Sequence, residues 1–262
     1  MKLLRRIVTT IVVTLSVIFV CIYWVAPVAV SFYAARTALP VAKIVPTELK
    51  DHSVSQSPAT KLAYLGYGFE VPWSDLDQTK IVMYPKDKAE KTRVVLAFQS
   101  GLRLMVTAVP PREFAQLWAT DFKTPPQGVD ILFGPGSSTS DYTFVRNVYE
   151  YTPDKMHYWS LSPSLHAREQ MVLLTKSIMP TRAAATGIFC VQNQDYKGFQ
   201  QGNPEGRQDG LVVDLYSDES HFEIMFLQKD YHSATGVTQA DINRVIQSVR
   251  RAAPTEAATL TN

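Results

Sequence analysis

An uninterrupted apolar segment near the N-terminus constrains this chain more than any other feature. Residues 7–30 contain no Asp, Glu, Lys or Arg, and valine, isoleucine, leucine and phenylalanine dominate them. At about 1.5 Å per helical residue, this segment reaches roughly 36 Å, whereas a hydrocarbon core is about 30 Å thick. The sequence therefore predicts a transmembrane helix that tethers the rest of the chain.

Basic residues flank this segment unequally. Lys2, Arg5 and Arg6 precede it, whereas the thirteen residues after it hold only Arg36 and Lys43. Positive charge favours the cytoplasmic side of a membrane. We therefore expect a single-pass protein with a cytoplasmic N-terminus and an extracytoplasmic domain, which would be periplasmic in a Gram-negative bacterium.

A cleaved signal peptide is the alternative interpretation of the same segment. The apolar region of a signal peptide spans about 7–15 residues and ends at a cleavage site between small residues. The apolar run here is longer, and Ala29-Val30-Ser31, which is an acceptable signal-peptide cleavage site, lies far downstream. The length of the run favours an uncleaved anchor, with cleavage left open.

Changes in composition along the chain predict its organisation. The expected segments are a cytoplasmic basic stub (1–6), a transmembrane signal anchor (7–30), a juxtamembrane segment and spacer (31–60), an extracytoplasmic globular domain (61–252) and a flexible tail (253–262). From Ile44 onward there are 21 basic and 24 acidic residues, so the net charge there is −3. A nearly neutral domain without a Lys/Arg block argues against nucleic acid as a partner.

The apolar pattern of the globular region predicts an α+β domain. Apolar runs at 93–98 and 102–109 meet at Ser100-Gly101, which is typical of a hairpin. Helical spacing dominates residues 111–179, and strand patterns return at 188–192 and 211–227. This order predicts a mostly antiparallel sheet of about six or seven strands, with helices packed on it, behind the transmembrane helix.

The last predicted element is a helix with a clear start and a clear buried face. Thr238 and Asp241 have the spacing of a capping box. The apolar residues that follow at i, i+3, i+4 and i+7 are Ile242, Val245, Ile246 and Val249. This spacing predicts that one side of the helix packs on the sheet.

Three features of the sequence resemble those of a known family. The strand Gly68-Phe69-Glu70-Val71-Pro72-Trp73, the late hairpin and the closing Ile246-Gln247-Ser248-Val249 resemble the Mog1/PsbP-like α/β/α sandwich domains. The resemblance implies a sandwich fold and an accessory or binding role. It transfers no catalytic residue, because the matching positions are structural.

The sequence contains no recognisable catalytic motif. Ser100 lacks the first glycine of Gly-x-Ser-x-Gly and lies in a predicted hairpin turn rather than a strand-to-helix elbow. His166 and Glu169 form His-x-x-Glu on a predicted helix, which we interpret as a surface pair because no third ligand is apparent. No catalytic residue, metal site or cofactor is predicted.

One segment has the composition of a recognition loop. Residues 194–207 contain glycines, amide side chains and rigid aromatics, a mixture that suits polar ligands or peptides. Tyr196, Phe199 and Arg207 are the predicted binding residues. In the alternative interpretation, Phe199 packs in the core and the loop only connects strands.

These features together favour a membrane-anchored extracytoplasmic binding or accessory module, whose partner is a protein or a small ligand. One alternative is a domain that contacts a small ligand or lipid at the membrane face. Another is a hydrolase whose site assembles from residues far apart in the sequence. We expect no cofactor, and the sequence does not predict the oligomeric state.

Overall fold

The computed structural model describes residues 2–20, 25, 29, 40–157, 160, 162–178, 187–204, 210–228 and 236–252. Strands form the centre of the fold. The strands are β1 (Thr47–Glu48), β2 (Thr60–Tyr64), β3 (Tyr67–Val71), β4 (Val82–Tyr84), β5 (Arg93–Ala97), β6 (Leu102–Val109), β7 (Ile188–Gln192), β8 (Lys197–Gln201), β9 (Leu211–Tyr216), β10 (His221–Gln228) and β11 (Arg250–Arg251). The helices are α1 (Lys2–Val20), α2 (Glu113–Thr120), α3 (Pro126–Phe133), α4 (Asp141–Glu150), α5 (Pro163–Ile178) and α6 (Gln239–Ser248). The predicted α+β class is confirmed.

The main sheet has eight strands in the order β1-β7-β8-β9-β10-β6-β5-β4, and a second sheet has the order β11-β3-β2. The prediction of six or seven strands is therefore wrong. The main sheet is also mixed. β1 pairs parallel to β7, and all other neighbouring strands of this sheet pair antiparallel. Within the main sheet, the missed strands are β1, which has only two residues in a polar stretch, and β8, which lies in the predicted loop.

Each face of the main sheet has its own core. Helices α2–α5 cover one face, where Trp118, Phe133 and Phe144 pack with Phe199 of β8. Helix α6 and the small sheet cover the other face, where they pack on residues of β5, β6, β9 and β10. The alternation of strand side chains separates the two cores, because successive residues point to opposite faces.

The predicted hairpins and the closing helix are confirmed. Gly101 has φ +94° in the β5–β6 turn, a conformation that glycine adopts without steric cost. Residues 211–216 and 221–226 pair antiparallel as β9 and β10. Helix α6 begins at the capping box of Thr238 and Asp241. The whole predicted apolar stripe of α6, including its C-cap residue, is at most 2% exposed.

The N-terminal helix α1 ends at Val20, and residues 21–30 are described only at Val25 and Ala29. Among the described residues, no helix combines the length and the apolar character needed to cross a membrane. The predicted juxtamembrane residues 31–39 and the predicted tail at 253–262 lie outside the described residues. The anchor at 7–30 stays a prediction.

Residues 42–57 pack on the globular domain, upstream of its predicted start at residue 61. The Asn243 side-chain amide donates to the carbonyl oxygens of Asp51 and Ser53, both at 2.8 Å. The Arg244 guanidinium donates to the carbonyl oxygen of Ser55 at 2.6 Å and to that of Ser57 at 2.9 Å. These bonds hold the segment against α6.

Lys176 of α5 fixes the beginning of the same segment. Its Nζ donates to the carbonyl oxygens of Ile44 and Tyr149 at 2.7 Å, of Tyr151 at 2.9 Å and of Ala42 at 3.2 Å. The Lys176 side chain is fully buried, and burial lowers its pKa to about 8. One ammonium group thus joins α5, the end of α4 and the chain that leads to β1.

Candidate functional site

An open groove of about 710 Å³ lies where the β7–β8 turn faces the β9–β10 turn. We call it the Asn193 groove, and it is lined by Ser140, Tyr142, Asn193, Gln194, Asp195, Tyr196, Lys197, Tyr216, Ser217, Asp218, Glu219 and Arg251. The two turns come from neighbouring pairs of strands, so the sheet itself sets their separation. Nine of the twelve lining residues have polar or charged side chains, and the other three are tyrosines.

Asn193 makes the β7–β8 turn rigid. Its side-chain oxygen accepts bonds from the backbone amides of Asp195 at 2.9 Å and Tyr196 at 2.8 Å. Its side-chain amide donates to the carbonyl oxygen of Ile246 at 2.7 Å and that of Val249 at 3.1 Å. These bonds tie the turn to the C-terminal end of α6, whose last carbonyl groups have no partner within the helix. The groove wall is therefore held in place before any ligand arrives.

Three hydroxyl groups form a chain beside the groove. The hydroxyl groups of Ser217 and Ser220 lie 2.8 Å apart, and the Ser220 hydroxyl donates to the Tyr196 hydroxyl at 3.4 Å. Ser220 and Tyr196 are almost completely buried, whereas Ser217 is half-buried. Burial raises the pKa of Tyr196, so its hydroxyl stays protonated at neutral pH.

Charges of both signs line the groove. Three lining residues are acidic, namely Asp195, Asp218 and Glu219, and two are basic, namely Lys197 and Arg251. The Arg251 guanidinium is engaged within the protein, since it donates to the carbonyl oxygen of Glu219 at 3.1 Å and lies 5.1 Å from the ring centroid of Tyr67. The groove therefore has a slight excess of negative charge.

Tyr142 and Tyr216 form the aromatic part of the wall. One face of the Tyr142 ring stacks on Phe199, with centroids 5.3 Å apart and an angle of 12° between the ring planes. The Tyr142 ring is half-buried and lines the groove, so part of the ring is accessible to a ligand. Burial raises the pKa of Tyr142 and raises that of Tyr216 well above its usual value.

A buried acid–histidine cluster lies behind Tyr216. The Tyr216 ring stacks on His221 with centroids 4.3 Å apart. His221 Nε2 lies 3.2 Å from Asp214 Oδ1, and the Gln201 side-chain amide donates to Asp214 Oδ2 at 2.9 Å. His221 Nδ1 is buried without a hydrogen-bond partner. Tyr216 thus separates a polar cluster in the sheet from the groove.

Three further carboxyl groups surround this cluster. Burial raises the pKa values of Glu113, Asp141 and Glu223, while the charge of His221 lowers all three. The Asp141 carboxylate accepts bonds from the backbone amides of Glu113 at 3.0 Å and Phe114 at 3.3 Å, so it caps the start of α2. These bonds give Asp141 a structural role.

A second groove of about 510 Å³ lies on the other side of the β7–β8 turn. It shares Asn193, Gln194 and Asp195 with the Asn193 groove, and its remaining wall includes Gln247 and Arg250. The turn is therefore a ridge with an open groove on either side.

The three predicted binding residues have different positions in the structure. Phe199 is fully buried on β8, so the exposure that the prediction assumed for it is wrong. Tyr196 lines the Asn193 groove, with 3% of its surface exposed. Arg207 lies outside the described residues. The segment was predicted as a loop because of its glycines, but Gly198 lies on β8, where a Cβ would overlap the carbonyl oxygen of Asp214.

The predicted surface pair of His166 and Glu169 is buried, so that interpretation is wrong. The two residues are 3% and 2% exposed. Glu169 accepts a bond from the backbone amide of His157 at 3.1 Å, and one of its oxygens lies 2.6 Å from His157 Nδ1. Among the described residues, no group of three or more His, Cys, Asp or Glu side chains is placed to hold a metal ion.

Sequence reasoning missed most of the groove. Asn193, Ser217 and Asp218 are turn-forming residues between strands, and that signal predicts a turn without predicting which turns meet in space. Comparison of the chain with protein-family models, with curated proteins and with solved structures finds no significant match. The functional assignment of this chain therefore depends on the geometry of the groove.

Proposed function

We propose that this chain is a membrane-anchored extracytoplasmic module that binds a polar ligand in the Asn193 groove. The observation that carries the proposal is the groove itself, which combines a rigid turn, the half-buried ring of Tyr142 and charged side chains of both signs. Rigid walls lower the entropy cost of binding, because little of the site must be ordered when the ligand arrives.

Helix α1 supports the anchored part of the proposal. Its large apolar side chains between Ile11 and Val20 are 47–60% exposed. A contiguous exposed apolar surface on a helix is stable where lipid or another apolar surface covers it. Insertion of residues 7–30 into a bilayer would cover it, and the three basic residues before Ile7 favour a cytoplasmic N-terminus.

Binding fits the site better than catalysis does. The Asp214–His221 pair has the residue types of a general base, yet both side chains are less than a tenth exposed, behind the Tyr216 ring. A general base must come within hydrogen-bond reach of the proton that it removes. The groove residues that a ligand can reach are instead suited to holding polar groups.

The layered arrangement is compatible with the proposed resemblance to Mog1/PsbP-like domains. Helices cover one face of the main sheet, and α6 with the small sheet covers the other. If the resemblance holds, it implies an accessory or binding role, which agrees with the use proposed for the groove.

Site-specific photo-crosslinking in native membranes tests the proposal. A photoreactive residue in place of Gln194, which is exposed at the groove, should give a specific adduct, of either a small ligand or a protein. The same residue in place of Tyr84 is the matched control, because Tyr84 is 38% exposed on β4 at the far edge of the sheet. A reporter fused after Ala252 should be active only outside the cytoplasm.

Two results would contradict the proposal. Equal labelling from positions 194 and 84 would show that the groove has no preferred occupant. Cytoplasmic activity of the reporter fusion would overturn the proposed topology, whatever the crosslinking shows.

A further inference from the structure

We propose that the ligand of the Asn193 groove is a neutral oligosaccharide that stacks on Tyr142. This inference rests on the proposed binding function and names its ligand class. It follows from the charge of the groove, from the accessible part of one aromatic ring and from the pairing of the strands behind the groove.

The mixed charges of the groove present no uniform field to a strongly charged ligand, and their slight negative excess opposes an anionic one. An anionic ligand would meet the carboxylates of Asp195, Asp218 and Glu219, and a strongly cationic one would meet Lys197 and Arg251. Like charges that are brought together cost free energy and suppress wrong partners. A neutral ligand avoids both penalties.

The polar groups that remain match the hydroxyl groups of sugars. The exposed side chains of Gln194, Asp195 and Asp218 offer amide donors and oxygen acceptors at the groove. A sugar hydroxyl both donates and accepts, so it can bond to a carboxylate and to an amide alike. Ser217 adds a half-buried hydroxyl that is already linked to Ser220.

Tyr142 offers an aromatic platform. Phe199 holds one face of its ring, which fixes the orientation of the ring in the wall. The face of an aromatic ring carries a partial negative charge, so it attracts the weakly positive C–H groups on the apolar face of a pyranose. Flat stacking on one side and polar contacts on the other are the contacts that an amphipathic sugar ring requires.

The strands behind the groove argue against a peptide as the ligand. An extended peptide gains much of its affinity by adding a strand to a free sheet edge. β8 pairs with β7 and β9, and β9 pairs with β8 and β10, so neither of these strands offers a free edge. The groove presents turns and side chains instead. Its volume of about 710 Å³ lies within the usual range of small-ligand sites, roughly 300–1,000 Å³.

The test is a titration of the full chain in lipid nanodiscs with neutral and charged sugars. The probes are the hexamer of N-acetylglucosamine, maltohexaose and a sulfated heparin hexasaccharide, and saturation-transfer NMR measures their binding. We expect at least one neutral hexamer to bind and the heparin hexasaccharide to bind more weakly. Tyr142→Ala should weaken the neutral hexamer roughly three- to tenfold, as the loss of an aromatic contact does. Tyr142→Phe should keep the affinity within about twofold, since the ring remains.

A second pair of variants covers the case in which Tyr142→Ala fails to fold. Gln194→Ala removes an exposed groove side chain, and Gln127→Ala removes an exposed side chain on α3, away from the groove. Binding should fall at least about threefold in the first variant and stay unchanged in the second, as for the loss of one hydrogen bond. Equal effects in the two variants would overturn the inference.

The remaining outcomes separate this inference from the proposed function. The absence of binding by both neutral hexamers at millimolar concentrations would overturn the inference. Tighter binding of the heparin hexasaccharide than of either neutral hexamer would also overturn it. A groove-specific protein adduct in the crosslinking experiment, together with no sugar binding, would leave the proposed function standing and replace the ligand class. Absence of any groove-specific adduct would contradict the proposed function itself.

Discussion

The imidazole of His221 and the carboxylate of Asp214 form a pair within the main sheet, with Nε2 and Oδ1 3.2 Å apart and neither side chain more than 9% exposed. Gln201 donates to the second oxygen of the same carboxylate. The two residues come from neighbouring strands, β9 and β10, on the face that α2–α5 cover. Asp214 is thus the shared acceptor for two buried side chains.

Removal of this acceptor should destabilise the domain. Asp214→Ala leaves the Gln201 amide and the His221 ring without their partner, and each orphaned buried group costs about 1–3 kcal/mol. Asp218→Ala is the control, since Asp218 is exposed and should change the free energy of unfolding by less than about 0.5 kcal/mol. Urea unfolding, followed by circular dichroism, measures both. Similar small effects would mean that the cluster contributes nothing to stability.

Glu223 should make the stability of the domain depend on pH. Burial and the neighbouring charge of Asp214 raise its pKa above the usual 4.5, despite the opposing effects of His221, Thr107 and Arg93. The folded state therefore holds this proton more tightly than the unfolded state does. The free energy of unfolding should fall as the pH rises from about 4.5, the usual pKa of a glutamate, through the folded pKa.

Glu223→Gln should remove that part of the pH dependence. At pH 7 the variant should be more stable than the wild type, and this advantage should shrink as the pH falls to about 3, where the wild-type carboxyl group is mostly protonated in both states. Unfolding curves across this range measure the difference. A constant difference at every pH would show that the burial of the charge is not its cause.

The closing helix offers a matched pair of adjacent positions. Ile246 is 2% exposed in the core between α6 and the main sheet, whereas Gln247 is exposed. Ile246→Ala should cost about 2–5 kcal/mol, as truncation of a large core side chain does. Gln247→Ala should cost less than about 0.5 kcal/mol. Comparable costs, measured by chemical unfolding, would contradict the buried face of the helix.

The independent folding unit should begin near residue 40. A fragment of residues 40–252 keeps Ala42 and Leu49, which are 1% and 9% exposed, and the bonds of Lys176, Asn243 and Arg244 to the segment before residue 58. A fragment of residues 57–252 loses all of these except the Arg244 bond to Ser57, and leaves the Lys176 ammonium group with two of its four carbonyl partners. We expect a cooperative thermal transition for the longer fragment only. Equal melting temperatures would show that residues 42–56 contribute nothing to the fold.

Local patterns were sufficient to predict the hairpins and α6, since turn glycines, the capping box and apolar periodicity act between near neighbours in sequence. They were not sufficient for β8. Gln200 and Gln201 suggest a solvated loop, yet both are fully buried. Gln200 Nε2 donates to Gln239 Oε1 at 2.8 Å, and Gln201 bonds to Asp214. Partners so distant in sequence leave no local signal.

The candidate site was predictable in part for the same reason. Tyr196 was identified from the composition of its segment, and it lines the groove. The turn that carries it owes its shape to Asn193, whose amide donates to carbonyl groups 53 and 56 residues away. The opposing turn, at Ser217 and Asp218, reaches the groove only through the pairing of β8 with β9. A groove between two turns is a property of the sheet order, which no single stretch of sequence encodes.

The four-carbonyl contact of Lys176 has a mechanical consequence. If residues 7–30 sit in a bilayer, a force on the chain from the membrane side would reach the Lys176 bonds to Ala42 and Ile44 before it reaches β1, because these residues precede β1 in the chain. Charge-assisted bonds are roughly twice as strong as neutral ones. Part of that force would therefore pass to α5 and to the end of α4 before it reaches the pairing of the two-residue strand β1 with β7. Lys176 would thus protect the short β1–β7 pairing from tension on the membrane anchor.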